Sequence, residues 1–308
     1  MAMQFIIEEE QAGERIDKFL SEALPDLSRS YIQKLIKEEQ VTVNQKIVKS
    51  NYKLVSGDYL ELTEPELKEP NIVAENIPLD ILYEDADLLI VNKPKGMVVH
   101  PSVGHYSGTL VNALMYYCKD DLSGINGVMR PGIVHRIDMD TTGSLLVCKN
   151  DFTHNDIAEQ LKEHSITRVY HAIVHGVVKD DEGTIDAPIG RHPVDRKKMS
   201  INHKNGKQAI THYKVLQRFY NYTYIECRLE TGRTHQIRVH MASIGHPLLG
   251  DIVYGPNKAP TKLQGQTLHA KIIGIKHPRT GGYLEVDAPL PEYFLNLIKK
   301  LENNIHFK

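Results

Sequence analysis

The hydrophobic residues of the first sixty positions recur first at helical spacing and then at strand spacing. Apolar side chains on one face predict a helix that ends before Pro25 and a second helix over 28–39. Two short alternating runs, VTVNQK and DYLELT, follow and predict strands. The pattern therefore predicts a small α-then-β domain over residues 13–64.

Beyond residue 80, predicted strands outnumber predicted helices and do not alternate with them. Strands are expected at 88–92, 145–148, 170–178, 210–219, 223–229 and 283–286, and helices at 110–118, 155–164, 234–244 and 292–302. This order favours an α+β domain with a mixed, largely antiparallel sheet over a doubly wound one. We place this domain at 81–300, and we expect the acidic, proline-containing stretch 65–80 to be a linker.

Composition narrows the class of protein. A chain of 308 residues that is 41% hydrophobic and 25% charged suits two globular domains and argues against a largely disordered chain. The longest apolar run, near 88–91, is far shorter than the ~20 residues of a membrane helix. Three widely spaced cysteines form no CxxC pair, and the acidic start shows no secretory signal. We therefore expect a cytoplasmic protein.

The net charge of −2 hides a strong asymmetry along the chain. Residues 29–53 carry six Lys/Arg against two Asp/Glu, and residues 191–240 carry eleven against three. Between them, residues 61–87 carry nine acids and one lysine. Two basic segments are typical of a polyanion-binding protein, although any single charged run is also compatible with an ordinary solvated surface.

The first cluster of candidate chemistry is a glycine-flanked loop over 131–143. It contains His135, Arg136, Asp138 and Asp140 and leads into an apolar strand. Loops on a rigid scaffold often hold reactive groups. The two aspartates would also suit a divalent cation, or would simply cap the turn. Spacing alone leaves these alternatives open.

Two further clusters lie downstream. Thr234 is the expected N-cap of a helix beside Arg233 and Arg238, which is a natural seat for an anion, although solvated arginines are the alternative. His235 and His240 are five residues apart rather than four, so we do not expect a zinc site. Around 167–176, an apolar strand begins with a tyrosine that would stack on a base or serve as plain core.

Together these clusters resemble the signature regions of RluA/RluD-type RNA pseudouridine synthases. The resemblance covers about 81–297, and its segments are His135-Arg-Ile-Asp138, Arg168-Val-Tyr170, Gly232-Arg-Thr-His-Gln-Ile-Arg238, Asn92-Lys-Pro-Lys-Gly96 and Leu268-His-Ala270. Ile137 stands where that family usually has leucine. The N-terminal domain resembles the ribosomal S-four-type (αL) RNA-binding domain, although Glu39-Gln40 and Asn44-Gln45 stand where glycine-containing turns are usual.

The resemblance implies an isomerase that converts uridine in RNA to pseudouridine. It places the essential aspartate at Asp138, as nucleophile or base, with Arg233 as the arginine that pairs with it. It sets Tyr170 against a uracil that has left the base stack, and it adds Leu268 to the substrate-binding residues. Arg136 would fill the vacated space or hold phosphate.

The resemblance also implies RNA as the partner, most often large-subunit ribosomal RNA in this family. The RNA-binding residues we expect are Arg29, Lys34, Lys37, Lys46, Lys49 and Arg238. We expect no cofactor, metal or membrane contact, and a monomer. The alternatives are a non-catalytic RNA-binding protein on the same fold and a metal-dependent glycosyl or phosphoryl transferase that uses Asp138 and Asp140.

Overall fold

The computed structural model describes residues 2–24, 29–63, 72–102, 104–119, 121–125, 130–195, 198–256 and 263–303. The chain divides into two compact units, Met1–Glu69 and Pro70–Lys308. In the described part of the chain, no helix is long and apolar enough to cross a membrane.

The N-terminal unit packs two helices on a small antiparallel sheet. Its elements are β1 (Ala2–Ile6), a short 3-10 helix (Glu9–Gln11), α1 (Ile16–Ala23), α2 (Arg29–Lys37), β2 (Val41–Val43), β3 (Lys46–Ile47) and β4 (Tyr59–Thr63). The strand order is β1-β4-β2-β3, and the core joins buried residues of both helices and of the sheet. Both predicted helices are present, although position 28, where the second was expected to begin, lies outside the described residues.

The compact unit extends beyond the predicted domain start at residue 13, because β1 precedes that position. That strand pairs with β4 along the edge of the sheet, from Ala2 opposite Thr63 to Ile6 opposite Tyr59. In the turn between β2 and β3, Asn44 and Gln45 have φ of 50° and 64°, where glycine is usual. The Asn44 side chain compensates by accepting a hydrogen bond from the Tyr59 amide at 2.9 Å.

The second unit contains eleven strands and four helices among its described residues. In chain order they are β5 (Ile81–Glu84), β6 (Leu88–Lys93), α3 (Leu110–Cys118), β7 (Thr142–Cys148), α4 (Asp151–Lys162), β8 (Thr167–His175), β9 (Glu182–Asp186), β10 (Ile189–Arg191), β11 (Met199–Ile201), β12 (Ile210–Arg218), β13 (Tyr222–Leu229), α5 (Gln236–Ser243), β14 (Leu268–Lys276), β15 (Tyr283–Asp287) and α6 (Glu292–Glu302).

Nine of these strands form one sheet in the order β5-β6-β7-β14-β8-β13-β12-β9, with β15 also paired to β14. Among the described strands of this sheet, β7 and β14 are the parallel pair and the others are antiparallel. The predicted α+β class with a mixed, largely antiparallel sheet is therefore confirmed. Strands β10 and β11 form a separate two-stranded hairpin.

The second half of the predicted linker belongs to this unit. Ile72 is buried in its core, and the Asn112 side-chain amide donates to the carbonyl of Val73 at 2.8 Å. The Glu75 amide in turn donates to the Asn112 carbonyl at 2.9 Å. Prolines and acids suggested an unattached segment, but these backbone groups are paired with α3. Residues 65–71 of the predicted linker lie outside the described residues.

The centre of the sheet brings the sequence clusters side by side. Ala270 of β14 pairs with Gly143 of β7 on one side and with Tyr170 of β8 on the other. Gly143 has φ of 106°, and a Cβ there would lie 2.2 Å from the Ala270 carbonyl oxygen, so only glycine fits. The loop that ends at β7 is consequently held two strands away from Tyr170.

Candidate active site

One cavity of about 330 Å³ is bordered by residues of all three sequence clusters. The predicted site residues that line it are Arg136, Asp138, Tyr170, Arg233, Arg238 and Leu268. They come from the loop before β7, from β8, from the segment that leads into α5 and from the start of β14. A cavity of this size suits one nucleotide base and part of its sugar.

Asp138 lies in the loop that precedes β7, and its side chain is 20% exposed. Its carbonyl accepts a hydrogen bond from the Thr141 amide at 3.0 Å, which closes the loop. Its Oδ2 accepts from Arg238 Nη1 at 2.9 Å, and its Oδ1 lies 3.8 Å from His235 Nε2. The carboxylate is therefore fixed from one side while it remains accessible from the cavity.

Arg238 is the arginine that pairs with Asp138, so the expectation that Arg233 does so is wrong. Arg238 also donates through Nε and Nη2 to both carboxylate oxygens of Asp251, at 2.6 and 3.0 Å. Burial disfavours its charge, but the hydrogen bonds to Asp251 and Asp138 outweigh burial and raise the pKa of Arg238. Arg233 Nε donates instead to the Gln208 carbonyl at 2.9 Å.

The same burial corrects the role predicted for Arg238 at the RNA surface. Only 6% of Arg238 is exposed, and its guanidinium is occupied by two carboxylates. We therefore assign it to the orientation of Asp138 and remove it from the outer RNA-binding residues.

The start of α5 differs from the predicted cap at Thr234. The helix begins at Gln236 after His235, which has a left-handed backbone with φ of 57°. The Gln236 side chain accepts hydrogen bonds from the Arg233 amide and the Thr231 hydroxyl, at 2.9 and 2.8 Å. Because Gln236 occupies the Arg233 amide, the structure gives no support to an open anion seat at this helix end.

His235 is a neutral neighbour of the carboxylate. Burial lowers the pKa of His235, against the opposing effect of Asp138. Its Nδ1 lies 2.8 Å from the hydroxyl of Tyr254. Sequence reasoning considered this histidine only as a metal ligand, so its place beside Asp138 was not predicted.

Tyr170 and Leu268 give the cavity an apolar wall. Tyr170 is 9% exposed and Leu268 is 5% exposed. Burial raises the pKa of the Tyr170 hydroxyl, with a smaller opposing effect from Arg168, so the phenol is neutral at physiological pH. A flat, neutral ring in a desolvated wall is suited to pack against a base.

Arg136 is exposed and borders this cavity and a second one of about 340 Å³. Within the described part of the chain, no hydrogen bond or ion pair occupies its guanidinium. A solvated arginine between two cavities beside Asp138 is well placed to meet a phosphate or a base.

Lys93 is a residue of the site that sequence reasoning missed. It is fully buried, and its Nζ donates to the carbonyls of Pro94, Met97 and Met139 at 2.8, 2.8 and 2.9 Å. Burial lowers the pKa of Lys93 to about 7, although Asp140 and Asp138 act in the opposite direction. The bond to Met139 holds the loop immediately after Asp138. The sequence feature that could have pointed to Lys93 is the presence of a lysine at the end of an apolar strand.

Asp138 and Asp140 have different hydrogen-bond partners. Asp140 faces the side-chain amide of Gln264 at 3.4 Å, whereas Asp138 faces Arg238. Among the described residues, three potential ligand groups converge only at Asp85, Asp87 and His277. The Asp87 carboxylate of that group forms an ion pair with Arg279, and Asp85 bonds His277 at 2.7 Å.

In the N-terminal unit, all five predicted RNA-binding residues have exposed side chains, namely Arg29, Lys34, Lys37, Lys46 and Lys49. Arg29 differs from the four lysines because it also donates to the buried carboxylate of Asp17 at 3.2 Å. Arg15 and Gln33 donate to the same carboxylate at 3.0 and 2.6 Å. Arg29 therefore joins α2 to α1.

Asp17→Asn is expected to destabilise the N-terminal unit by about 2 kcal/mol at neutral pH, because a charged acceptor of several hydrogen bonds is lost. Burial alone would raise the pKa of Asp17, but the hydrogen bonds from Arg15, Gln33 and Arg29 lower it from 3.8 to about 2. The stabilisation is thus present above pH 3.8 and is lost as the pH falls through about 2.

Hydrogen exchange of the N-terminal amides, measured between neutral pH and pH 2, tests this prediction. Glu22→Gln is the control, since Glu22 is 62% exposed and pairs with Lys18 only on the surface. Equal exchange in the two variants would contradict a stabilising role for Asp17.

Comparison with known proteins identifies the family of this chain. Residues 87–243 match the RNA pseudouridylate synthase family, and residues 14–59 match the S4 domain. A Bacillus subtilis (strain 168) protein named "uncharacterized RNA pseudouridine synthase YlyB" is 56% identical over 96% of this chain and 97% of its own. The ribosomal large subunit pseudouridine synthase D of Zymomonas mobilis is 46% identical over 97% of both chains.

A solved structure of human RNA pseudouridylate synthase domain containing 4 superposes with a TM-score of 0.57 at 25% identity. It covers 72% of this chain and 93% of the human one. The chain belongs to the RNA pseudouridine synthase family. It is thus an isomerase that converts uridine to pseudouridine, and it carries an N-terminal S4 domain.

Proposed function

We propose that this enzyme isomerises uridines of large-subunit ribosomal RNA and that Asp138 is the reacting carboxylate. The observation that carries the proposal is the position of Asp138, fixed by Arg238 at 2.9 Å and open to a cavity walled by Tyr170 and Leu268. A uridine that has left the base stack would place its ribose at the carboxylate and its uracil against the tyrosine ring.

The reaction needs only rearrangement within one nucleotide. The bond between ribose C1′ and uracil N1 breaks, the uracil turns, and a bond from C1′ to uracil C5 forms. The proton on C5 leaves and N1 gains one, so atoms balance without a group donor or an oxidant. Asp138 would serve either by attack on the sugar or by removal of a sugar proton.

Positive charge outside the cavity supports RNA as the substrate. The exposed lysines Lys34, Lys37, Lys46 and Lys49 lie in the S4 domain, and Arg136 lies at the cavity mouth. Contacts of this kind fix backbone position and add affinity more than sequence choice. The relatives named ribosomal large subunit pseudouridine synthase D favour large-subunit ribosomal RNA as the target. We expect the protein to act as a monomer in the cytoplasm.

Pseudouridine mapping of total RNA from cells with and without the gene tests the proposal. One or a few positions in large-subunit ribosomal RNA should lose pseudouridine in the deletion strain. Plasmid-borne wild-type protein should restore them, and Asp138→Asn should not. Loss confined to transfer RNA, or no loss at all, would contradict the proposed target.

Activity is expected to persist in excess EDTA and without added nucleotide or nicotinamide. The physical reason is the redox-neutral rearrangement together with the separate partners of Asp138 and Asp140. The measurement is the initial rate on transcribed RNA that was folded in monovalent salt, with EDTA in excess throughout the assay. Activity that was lost in EDTA and restored by one divalent metal would favour the metal-dependent alternative instead.

A further inference from the structure

Tyr254 connects the β10–β11 hairpin to the wall of the active site. Its hydroxyl accepts a hydrogen bond from the Met199 amide of β11 at 2.9 Å and lies 2.8 Å from His235 Nδ1. Its ring stands edge-on to His235, with centroids 5.7 Å apart, and lies 5.1 Å from the Arg238 guanidinium carbon. One side chain thus touches the hairpin and both residues that face Asp138.

The hydrogen bonds of Tyr254 favour one of the two tautomers of His235. A phenol has one proton to donate, and the Met199 amide already donates to its oxygen. The Tyr254 proton is then free to point at His235 Nδ1, which leaves the imidazole proton on Nε2. Nε2 faces Asp138 Oδ1 at 3.8 Å. The opposite tautomer would turn a nitrogen lone pair toward the carboxylate, which is electrostatically unfavourable.

We propose that Tyr254 is a positioning residue, whose hydroxyl is oriented by the hairpin and holds His235 with its Nε2 proton toward Asp138. The inference rests on the proposed function in taking Asp138 as the reacting carboxylate. It gives the hairpin a role in the chemistry, since displacement of β11 would remove the amide that orients the phenol. Basic residues on or beside the hairpin, Arg191, Lys198, Lys204 and Lys207, would let bound RNA stabilise this arrangement.

Tyr254→Phe isolates the hydroxyl, because the ring remains beside Arg238. We expect kcat on an RNA substrate to fall about tenfold and KM to stay within about twofold, as for loss of an interaction that acts on the reacting group. In a His235→Ala background the same substitution should have no further effect. Unchanged kcat for Tyr254→Phe, or additive losses in the double variant, would overturn the proposal.

Tyr224→Phe is the matched control. Tyr224 also bonds a histidine Nδ1, that of His171, with ring centroids 5.4 Å apart in an edge-on pair. Neither residue lines the active-site cavity. This variant should keep wild-type kcat. If kcat fell equally in both tyrosine variants, the effect would reflect a general loss of packing, and the proposal would be overturned.

Met199→Pro tests the contribution of the hairpin. The Met199 amide donates to Tyr254, and β11 pairs with β10 through other groups, so proline removes this one donor. Met199→Ala is its control for the lost side chain. We expect Met199→Pro to approach the kcat of Tyr254→Phe and Met199→Ala to stay near wild type. Equal kcat for the two Met199 variants would overturn the role of the amide.

Nitrogen NMR of the labelled full-length protein, with His235→Gln to assign the resonance, reports the tautomer without any RNA. The proposal requires Nε2–H in the wild type and an Nδ1 resonance that shifts in Tyr254→Phe. Nδ1–H in the wild type would overturn it. A failure of the proposed function is distinguishable, because it would appear as a wild-type protein that forms no pseudouridine in ribosomal RNA whatever the tautomer.

Discussion

Asp138→Asn is expected to abolish pseudouridine formation, with a loss of more than about 10⁴-fold in kcat, as when the reacting group of an active site is removed. An amide cannot attack a sugar carbon or accept its proton as a carboxylate does. The fold should survive, because Arg238 retains its two hydrogen bonds to Asp251. RNA affinity should stay within about twofold, since the basic surface is unchanged.

Single-turnover assays on transcribed ribosomal RNA, together with filter binding and thermal unfolding, measure these three quantities. Asp140→Asn is the matched control, because it removes the same charge two residues away, where the carboxylate accepts a hydrogen bond from the Gln264 amide and acts electrostatically on Lys93. Its kcat should fall by no more than about tenfold. If Asp140→Asn abolished pseudouridine formation while Asp138→Asn remained active, the result would contradict our assignment of Asp138. It would favour a metal ion bound by the two aspartates.

The motifs predicted which loops form the site but not which side chain meets which. Arg233 and Arg238 lie five residues apart in one motif, and the choice between them depends on where α5 begins. The helix starts at Gln236, after a left-handed residue that local sequence does not signal. Asp251 lies in a separate turn and accepts a hydrogen bond from Arg238, which holds that arginine in a buried position. Such a long-range partner leaves no trace in the spacing of the motif.

Strand β14 was not predicted from the hydrophobic pattern, although it lies between β7 and β8. Its first three residues and Ile273–Ile275 are buried, with partly exposed residues between them, so no period of two appears. His269 is fully buried within it and looks polar in the sequence. Long strands with clear alternation, such as β13, were predicted within one residue at each end. Burial on both faces therefore hid the strand that supplies Leu268.

A chain that lacks the first 69 residues is expected to fold and to retain pseudouridine formation. The buried residues of the N-terminal core all lie within residues 7–62, with Met3 and Phe5 packed against them, and the catalytic unit has cores of its own that begin with Ile72. Asp138, Tyr170 and Arg238 all lie beyond the cut. The shortened enzyme should show wild-type thermal unfolding of the catalytic unit and a near-normal rate at saturating RNA.

Affinity for RNA should fall in the shortened enzyme, and it should depend less on salt. Each lost phosphate contact reduces the slope of log affinity against log salt by about 0.7 to 0.9. Reversal of Lys34, Lys37, Lys46 and Lys49 to glutamate should reproduce most of that loss within the full-length chain. Arg29 is left unchanged because it holds Asp17, and its reversal would disturb the fold instead.

Lys299→Glu with Lys300→Glu is the control for net charge, since both lysines are exposed on α6 of the catalytic unit. This double variant is compared with Lys34→Glu/Lys37→Glu. The two pairs change the net charge by the same amount, but at different surfaces. The measurement is filter binding of one ribosomal RNA fragment across a series of salt concentrations. If affinity and slope fell equally in both pairs, total charge would explain the effect. If neither the shortened enzyme nor the Lys34/Lys37 pair differed from wild type, the S4 domain would not bind this RNA.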